Sequence, residues 1–167
     1  ARTVESMIAS GKMANEKGIP VVFDPVGAGA SHLRNETAAK LLKEVHMTVI
    51  RGNVSEIRCI AGLSSHTKGV DAADSGDDAE QVASGLAEQL KCIVAVTGAV
   101  DTISDGTHTL RIRNGHPALS GITGTGCMCT SLIASFCGGN PKEPMLSAAA
   151  GIICMGIAGE IAWEKAG

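Results

Sequence analysis

Apolar residues recur at helical spacing along much of the chain, and several shorter stretches between them are continuously apolar. Residues 4–16 form the first amphipathic pattern, and Gly18 and Pro20 are expected to end the helix that it predicts. The apolar run over residues 19–23 then predicts a short buried strand. The same patterns predict helices over residues 36–45, 79–90, 126–136 and 143–163, strands over residues 47–51 and 92–96, and a polar loop over residues 69–78.

The order of these elements indicates the fold class. Strands that are continuously apolar are expected where helices cover both faces of a parallel sheet. Two β-like runs, residues 102–104 and 107–113, flank Asp105-Gly106, which is a strong signal for a hairpin. We therefore predict one α/β domain over residues 1–167, with a mostly parallel central sheet, helices on both faces and antiparallel strands added after residue 101.

Composition and charge narrow the possible partners. Hydrophobic residues make up 44% of the chain and charged residues 19%, which is typical of a globular domain. Only three aromatic residues occur and the formal net charge is −3, so the chain lacks the means to stack bases or to attract a phosphate polymer or an anionic membrane. The most apolar stretch, residues 148–158, is too short to span a bilayer. A small-molecule partner is expected, with no nucleic acid and no membrane.

The six cysteines favour a reducing compartment, because several of them lie inside apolar runs and no cleavable leader precedes them. We expect free thiols and a cytoplasmic protein. Cys127 and Cys129 do not have the spacing of zinc ligands, and helix packing is the preferred interpretation of that pair.

Residues 120–127 carry the clearest chemical signal. Three glycines, including Gly124 and Gly126, stand immediately before a predicted helix. Glycines let backbone N–H groups converge on one point, and a helix start adds positive partial charge, so this segment predicts an anion-binding site. Taken alone, it would also fit a glycine-rich turn with no ligand. It matches neither the Walker A pattern nor GxGxxG.

Three predicted strands end in polar residues, which supports a site at one edge of the sheet. Ligands of open α/β sheets bind beyond the carboxyl ends of the strands. Arg51 and Asn53-Val-Ser-Glu56 follow one strand, Asp24 follows another, and Thr97 closes a third. Each has an ordinary alternative: Asn53 and Glu56 fit a helix capping box, and Asp24 before a proline fits a turn. The coincidence at several strand ends favours a nucleotide phosphate site with Mg²⁺.

The order of motifs resembles that of the hydroxyethylthiazole kinases of thiamine biosynthesis, over essentially the whole chain. The resemblance rests on Asp24-Pro-Val-Gly-Ala-Gly-Ala, Ile50-Arg-Gly-Asn-Val-Ser-Glu-Ile, Val96-Thr-Gly, Asn114-Gly-His-Pro, Ile122-Thr-Gly-Thr-Gly-Cys and Gly156-Ile-Ala-Gly-Glu. It implies a ribokinase-like three-layer sandwich and ATP-dependent phosphorylation of the hydroxyl of 4-methyl-5-(2-hydroxyethyl)thiazole. It further implies that Arg51, Thr97 and Asn53 bind ATP, and that Glu56 and Asp24 serve Mg²⁺.

The same resemblance assigns the start of the last glycine-rich segment to catalysis. It implies that Gly124 lies beside the thiazole substrate and that Thr125, Gly126 and Cys127 form the catalytic part of the site. Cys127 stands where most ribokinase-like kinases carry the aspartate that acts as a base. A helix start favours a thiolate, although a loose phosphoryl-transfer transition state demands little of a base.

Two alternatives remain open at this point. One is a related ribokinase-like enzyme, either a hydroxymethylpyrimidine-type kinase or an ADP-dependent hydrate dehydratase, although both usually carry aspartate at the position of Cys127. The other is a non-catalytic nucleotide-binding fragment. The chain resembles the family without its N-terminal segment and extreme C-terminus, so we expect an internal fragment whose remaining substrate-binding residues lie elsewhere. The resemblance also implies a homotrimer with active sites between subunits.

Overall fold

The computed structural model of the chain describes residues 2–64 and 76–166. Its helices are α1 (Arg2–Glu16), α2 (His32–Glu44), α3 (Val54–Ser64), α4 (Gly76–Leu90), α5 (Thr125–Gly139) and α6 (Pro144–Ala166). Its strands are β1 (Val22–Phe23), β2 (Val49–Asn53), β3 (Ile93–Thr97), β4 (Asp101–Ser104) and β5 (Thr109–Ile112), and a short 3₁₀ helix spans Pro117–Gly121. All the helices and strands predicted from the sequence are present.

The five strands form one sheet in the order β1-β2-β3-β4-β5. The first three strands pair in parallel, with Asn53 of β2 opposite Thr97 of β3. The last three pair antiparallel, and the turn between β4 and β5 lies at the predicted Asp105-Gly106. Because β5 returns to the direction of β3, every described strand except β4 points the same way. The carboxyl ends of β1, β2 and β3 therefore meet at one edge.

Alternate residues of the central strands enter two separate cores. Ile50, Val94 and Val96 pack with the helices of one layer, which contains α2, α3 and α4. Val49, Ile93 and Ala95 pack with α5 and α6 in the layer on the opposite face. A strand that is buried on both faces must be apolar at every position, which is why the predicted strands lack alternation. The result is the expected three-layer α/β sandwich.

Helices α5 and α6 approach each other closely because small residues line their contact. A Cβ on Gly151 of α6 would lie only 2.7 Å from the backbone nitrogen of Ile133 in α5, a separation that real Cβ atoms do not show. Gly151 and Ile152 are both buried, whereas Ile153 and Ile157 are exposed. One face of α6 thus belongs to the core, and another face of the helix is apolar but uncovered.

Helix α6 is longer than the apolar stretch predicted from the sequence. That stretch, residues 148–158, is too short to span a bilayer. Helix α6 has 23 residues and a mean hydropathy of 1.8 over its most apolar window, so length and composition alone would allow it to cross a bilayer. A core helix of a soluble protein meets the same criterion. Here Ala148 and Ile152 lie in the core and Gly151 contacts α5, and 39% of the apolar window is buried within the described residues.

Element boundaries differ from the predicted ones for identifiable reasons. Helix α2 begins at His32 rather than at residue 36, because the Ser31 hydroxyl caps it by accepting a hydrogen bond from the Arg34 N–H at 3.3 Å. Strands β2 and β3 end at Asn53 and Thr97, later than predicted. Residues 69–75 of the predicted polar loop lie outside the described residues. The last three residues of that loop, 76–78, belong to α4.

Candidate functional site

Arg51 and Thr97 meet across neighbouring parallel strands at the carboxyl edge of the sheet. The Arg51 Nη2 donates a hydrogen bond of 2.6 Å to the Thr97 Oγ1. The Thr97 hydroxyl in turn lies 3.3 Å from the backbone oxygen of Gly52. Both side chains were predicted to bind ATP, and the sheet register brings them together from positions 46 residues apart.

Asp24 joins the same group of side chains from the end of β1. Its Oδ2 lies 3.6 Å from the Arg51 Nη1, and both side chains are largely buried, with exposed fractions of 12% for Asp24 and 14% for Arg51. The Oδ2 also accepts a hydrogen bond of 2.8 Å from the Thr130 hydroxyl of α5. A carboxylate in this position partly balances the buried guanidinium charge, which would otherwise be costly to remove from water.

The start of α5 lies against Arg51. A Cβ built on Gly126 would come within 2.8 Å of the Arg51 Nη1, so the guanidinium occupies the space that a side chain would need. Gly124 precedes the helix with a φ of 99°, in the left-handed region that glycine adopts readily. The first N–H groups of a helix have no intrahelical acceptors, and they carry positive partial charge.

A guanidinium beside a helix start is an unfavourable pairing of positive charges unless an anion lies with them. The Arg51 Nε is also buried and has no hydrogen-bond partner among the described residues. An anionic group bound at this point would accept hydrogen bonds from the guanidinium and from the helix N–H groups together. The geometry therefore fits an anion site built from Arg51 and Gly126.

Thr125 and Cys127, the other predicted catalytic residues, differ in their surroundings. The Thr125 hydroxyl lies 3.0 Å from the Leu119 backbone oxygen and 3.1 Å from that of Ile122, so it fastens the preceding loop to the helix start. Cys127 is exposed on the first turn of α5. Gly124, predicted to lie beside the substrate, is the residue immediately before that turn.

Asn53 and Glu56 form the capping box that the sequence allowed as their alternative role. The Asn53 Oδ1 accepts from the Glu56 N–H at 2.9 Å, and the Glu56 Oε2 accepts from the Asn53 N–H at 2.9 Å. The other oxygen of Glu56, Oε1, accepts from the Gly27 N–H at 2.8 Å. Glu56 thus connects the start of α3 to the loop that follows Asp24.

That loop is held by side chains on several sides. The Gly29 N–H donates to the Asn35 Oδ1 at 2.7 Å, and the Arg34 Nη1 donates to the Val26 backbone oxygen at 2.8 Å. Gly27 and Gly29 have φ values of 73° and 91°, which other residues adopt only with strain. The glycines of the Asp24 motif are therefore needed to turn the chain away from β1, and the position of Asp24 is well determined.

A cavity of about 520 Å³ opens beside this group of residues. Its walls include four of the predicted site residues, Arg51, Thr97, Thr125 and Gly126. The other five do not line it: Asp24, Asn53, Glu56, Gly124 and Cys127. The remaining wall comes from the loop after β5 and from α6, with Asn114, Gly115, His116, Pro117, Leu119, Met155 and Gly156 among its residues. A volume of this size suits a small molecule.

Two further ionisable groups line this cavity: Asp101, which the sequence did not single out, and Cys129, for which helix packing was predicted. Asp101 accepts a hydrogen bond of 2.9 Å from the Gly98 N–H, and burial raises the pKa of its carboxyl, opposed by this bond and by the charge of Arg51. Burial likewise raises the pKa of the Cys129 thiol, so this cysteine is a neutral wall residue at ordinary pH. Their placement depends on pairing across the sheet and helix packing, which no local pattern reveals.

The wall made by residues 114–119 is fastened to α6 by polar contacts and by ring stacking. The Asn114 Nδ2 donates to the Ile153 backbone oxygen at 3.0 Å, and the Gly115 N–H donates to the Glu160 Oε1 at 2.6 Å. The rings of His116 and Trp163 stack with centroids 4.3 Å apart. The two motifs Asn114-Gly-His-Pro and Gly156-Ile-Ala-Gly-Glu thus meet in one contact.

Two carboxylates, Asp24 and Glu56, stand beside the strand ends and have oxygen ligands of the type that Mg²⁺ accepts. Among residues 2–64 and 76–166, no group of three or more His, Cys, Asp or Glu side chains is arranged to hold a metal ion. Mg²⁺ usually keeps several waters and binds through one or two carboxylates together with substrate phosphates. Asp24 and Glu56 are carboxylates of this kind beside the strand ends.

The three-layer sandwich, with Arg51, Asp24 and a glycine-rich helix start beyond its parallel strands, has the ribokinase-like α/β fold. Residues 1–167 match the family model described as the Hydroxyethylthiazole kinase family. The chain therefore belongs to the hydroxyethylthiazole kinase family.

Individual relatives agree with this assignment. The chain is 57% identical over 169 residues to the hydroxyethylthiazole kinase of Ruminiclostridium cellulolyticum, covering 99% of this chain and 62% of the relative. The structure of a hydroxyethylthiazole kinase protein from Pyrococcus horikoshii OT3 superposes with a TM-score of 0.87 at 36% identity, over 98% of this chain and 59% of that one. The chain thus spans about three-fifths of the length of these relatives.

A more distant structure supports the fold alone. The pyridoxal kinase of Bacillus subtilis, solved as an ADP complex, superposes with a TM-score of 0.64 at 24% identity, covering 88% of this chain and 58% of that chain. The ribokinase-like architecture is therefore shared with a kinase whose name gives a different substrate.

Proposed function

We propose that the protein transfers the terminal phosphoryl group of ATP to the hydroxyl of 4-methyl-5-(2-hydroxyethyl)thiazole. The observation that carries this proposal is the convergence of Arg51 with the start of α5, where Gly126 leaves room for the guanidinium within 2.8 Å. An anion bound there would be contacted by a fixed cation and by backbone N–H groups. Membership of the hydroxyethylthiazole kinase family supports the choice of ATP and of the thiazole alcohol.

Each site residue has a defined part in this proposal. Arg51, oriented by Thr97, would bind phosphate oxygens, and the cavity of about 520 Å³ beside it would accept the rest of the nucleotide. Asp24 and Glu56 would hold Mg²⁺ with its waters, and Asn53 would keep Glu56 in place through the capping box. Bound Mg²⁺ would neutralise phosphate charge during transfer.

The start of α5 would stabilise the group being transferred. Positioning and charge stabilisation account for most of the catalysis of phosphoryl transfer, because the loose transition state needs little covalent assistance. The backbone N–H groups around Thr125 and Gly126 would supply that stabilisation, and Gly124 would admit the thiazole alcohol beside them. We assign exposed Cys127, acting as its thiolate, to receive the proton of the alcohol and so become the neutral thiol.

The setting of this activity is also part of the proposal. We infer that the protein works as a homotrimer, because α6 leaves a row of isoleucines uncovered: Ile153, Ile157 and Ile161. We further infer a cytoplasmic location, because the six cysteines all lie within the described residues and each is a free thiol. Small metabolic substrates and ATP are available in that compartment.

The test of this function is a turnover assay on the complete protein with ATP and the thiazole alcohol, following ADP release and the phosphorylated product. Alongside it, Arg51→Ala should weaken ATP binding by roughly 10- to 150-fold, the effect of losing a charge-assisted contact of ~1.5–3 kcal/mol. Arg111→Ala is the matched control, because Arg111 lies on β5, forms an ion pair with Glu80 of α4, and does not line the cavity. Unchanged ATP affinity in Arg51→Ala would remove Arg51 from the site.

A further inference from the structure

Thr130 connects two parts of the site that are far apart in sequence. Its hydroxyl donates a hydrogen bond of 2.8 Å to the Asp24 Oδ2, across a separation of 106 residues. Thr130 lies one helical turn after Gly126, whose backbone oxygen is 3.1 Å from the same hydroxyl. The side chain therefore joins the end of β1 to the first turn of α5, the turn that contacts Arg51.

A threonine hydroxyl has one proton, so only one of these two contacts can be a full donation at a time. Hydrogen bonds to an ionised acceptor are roughly twice as strong as neutral ones, which favours donation to Asp24 over donation to the Gly126 oxygen. The backbone contact then keeps the hydroxyl oriented along the helix. Thr130 is partly buried, which strengthens both interactions relative to an exposed position.

The two oxygens of Asp24 consequently have different environments. Oδ2 receives the Thr130 hydroxyl and lies 3.6 Å from the Arg51 Nη1. No described residue donates a hydrogen bond to Oδ1. Some of the surface of Oδ1 is accessible, because the fully buried atoms without a partner do not include it. The protein thus holds Asp24 through Oδ2, while Oδ1 accepts no hydrogen bond from a described residue and is not completely buried.

We infer that Thr130 is a positioning residue that fixes the Asp24 carboxylate, so that its Oδ1 is available as a ligand for the Mg²⁺ that accompanies the nucleotide. This inference rests on the proposed function of the site. It assigns a role in metal binding to a residue on α5, and it makes the geometry of the anion site and that of the cation site depend on one another.

The test measures Mg²⁺ dependence of nucleotide binding rather than turnover. A fluorescent ATP analogue is titrated onto the complete protein without the thiazole alcohol, first in excess chelator and then over a range of Mg²⁺ concentrations. In Thr130→Val, which keeps the shape but removes the donor, the Mg²⁺ concentration for half-maximal binding should rise roughly tenfold. Thr130→Ser should restore the parent value to within about threefold, since a hydroxyl is again available.

Matched variants separate positioning from stability. Ser135→Ala removes a hydroxyl of the same helix that donates only to the Ser131 backbone oxygen, at 2.8 Å, and it should leave the Mg²⁺ dependence unchanged. Thr130→Ala, which adds no branched side chain, is measured beside Thr130→Val in case the valine variant folds poorly. Thermal unfolding of every variant reports whether loss of binding reflects loss of structure.

The inference is overturned if Thr130→Val and the parent require the same Mg²⁺ concentration, or if affinity falls equally with and without Mg²⁺. It is also overturned if the parent binds nucleotide with no dependence on Mg²⁺. A parent that binds the Mg²⁺-nucleotide but does not phosphorylate the thiazole alcohol would contradict the proposed function, while the comparison of Thr130 variants would still stand.

Discussion

At the scale of single residues, Arg51 shows how the site depends on compensation between charges. Its guanidinium is largely buried, donates to Thr97 and lies near Asp24, yet it also faces the positive start of α5. Asp24 offsets part of this positive potential through its Oδ2, which lies 3.6 Å from the guanidinium and also accepts from the Thr130 hydroxyl. The residual positive potential would be neutralised by a bound anion, which explains why an energetically awkward arrangement is useful.

Cys127 allows two roles that substitutions distinguish. If the Cys127 thiolate accepts the proton of the alcohol, Cys127→Ser should lose roughly 10²–10⁴-fold in rate, the usual scale of general-base catalysis, and Cys127→Asp should keep substantial activity. We expect this outcome, because the exposed thiol stands on the first turn of α5, beside the proposed anion site.

The measurement for Cys127 is kcat of both variants at saturating ATP. If the side chain only fills space, kcat of the serine variant should stay near that of the parent. The aspartate variant should then be slow, because its charge would oppose the incoming phosphoryl group. A serine variant as fast as the parent, beside an inactive aspartate variant, would exclude the role as a base and leave the kinase proposal intact.

Individual residues also show what the sequence could reveal about the site. Arg51, Thr97 and Asp24 could be predicted because a strand end followed by a polar residue is a local pattern. Thr130 and Asp101 could not, since the first acts through a partner 106 residues away and the second through the packing beside β3. Asn53 and Glu56 form the capping box, and the roles predicted for them, ATP binding for Asn53 and Mg²⁺ binding for Glu56, stay predictions.

At the scale of elements, the contact of the loop after β5 with α6 decides the shape of the cavity. Gly156 has no side chain, and a Cβ there would lie only 2.2 Å from the Asn114 Nδ2. Gly159 similarly leaves space for Leu119, whose Cδ1 would be 2.6 Å from a Cβ at that position. The small residues of α6 therefore admit the loop that walls the cavity, in addition to admitting α5 at Gly151.

The β4–β5 turn provides a prediction of pH dependence. The Asp105 Oδ1 accepts from the His108 N–H at 2.7 Å and from the Thr107 N–H at 2.8 Å, and these backbone bonds are the main reason that its pKa falls to about 2. Because the folded pKa lies below the ordinary value of 3.8, the ionised carboxylate stabilises the hairpin above about pH 4. That contribution is lost as the pH falls through about 2.

Asp105→Asn keeps an acceptor for the backbone bonds but removes the charge. We expect it to lower the free energy of unfolding at pH 7 by roughly 0.5–1 kcal/mol, a small value because the turn is partly exposed to solvent. Urea unfolding of the parent and the variant at a series of pH values between 7 and 2.5 measures the difference, which should shrink below pH 4. A difference that stays constant over this range would show that the charge contributes nothing.

Elements with a local signature were the most predictable. The hairpin was found because Asp105-Gly106 fits a tight turn, and Gly106 indeed has a φ of 95°. The 3₁₀ helix Pro117–Gly121 was missed, because it is set by the His116 cap and by packing on α6 rather than by any periodicity. The start of α2 was placed too late because the capping role of Ser31 was not recognised.

At the scale of the whole molecule, the two helical layers differ in how well they are covered. The layer of α2, α3 and α4 packs on the sheet through a continuous buried core. The layer of α5 and α6 has its own core, but large apolar side chains remain exposed on it, with Met128 at 49% and Ile161 at 46%. Leu33 of α2 is exposed as well, but the exposed large apolar residues of α5 and α6 are more numerous, and an apolar patch of this kind is typical of a surface covered by further protein.

The last prediction concerns what covers that surface. The exposed residues Ile153, Ile157 and Ile161 recur every four positions along α6, so they form one stripe suited to a facing helix. We expect this stripe to lie at a subunit contact in a homotrimer. Ile157→Lys would bury an ammonium in such a contact, which costs several kcal/mol when the charge has no partner, and it should convert the trimer to monomers.

Light scattering of the complete protein at working concentration measures the assembly, and Leu33→Lys is the matched control. Leu33 is 70% exposed on α2, in the other helical layer, so the same substitution there should leave the mass at three times that of one chain. The comparison tests the location of the contact as well as its existence, because both variants add the same charge. A parent that is a stable, soluble monomer would contradict the trimer. A trimer that survives Ile157→Lys would mean that the stripe on α6 is covered from within the same subunit, and the subunit contact would then have to involve a different surface.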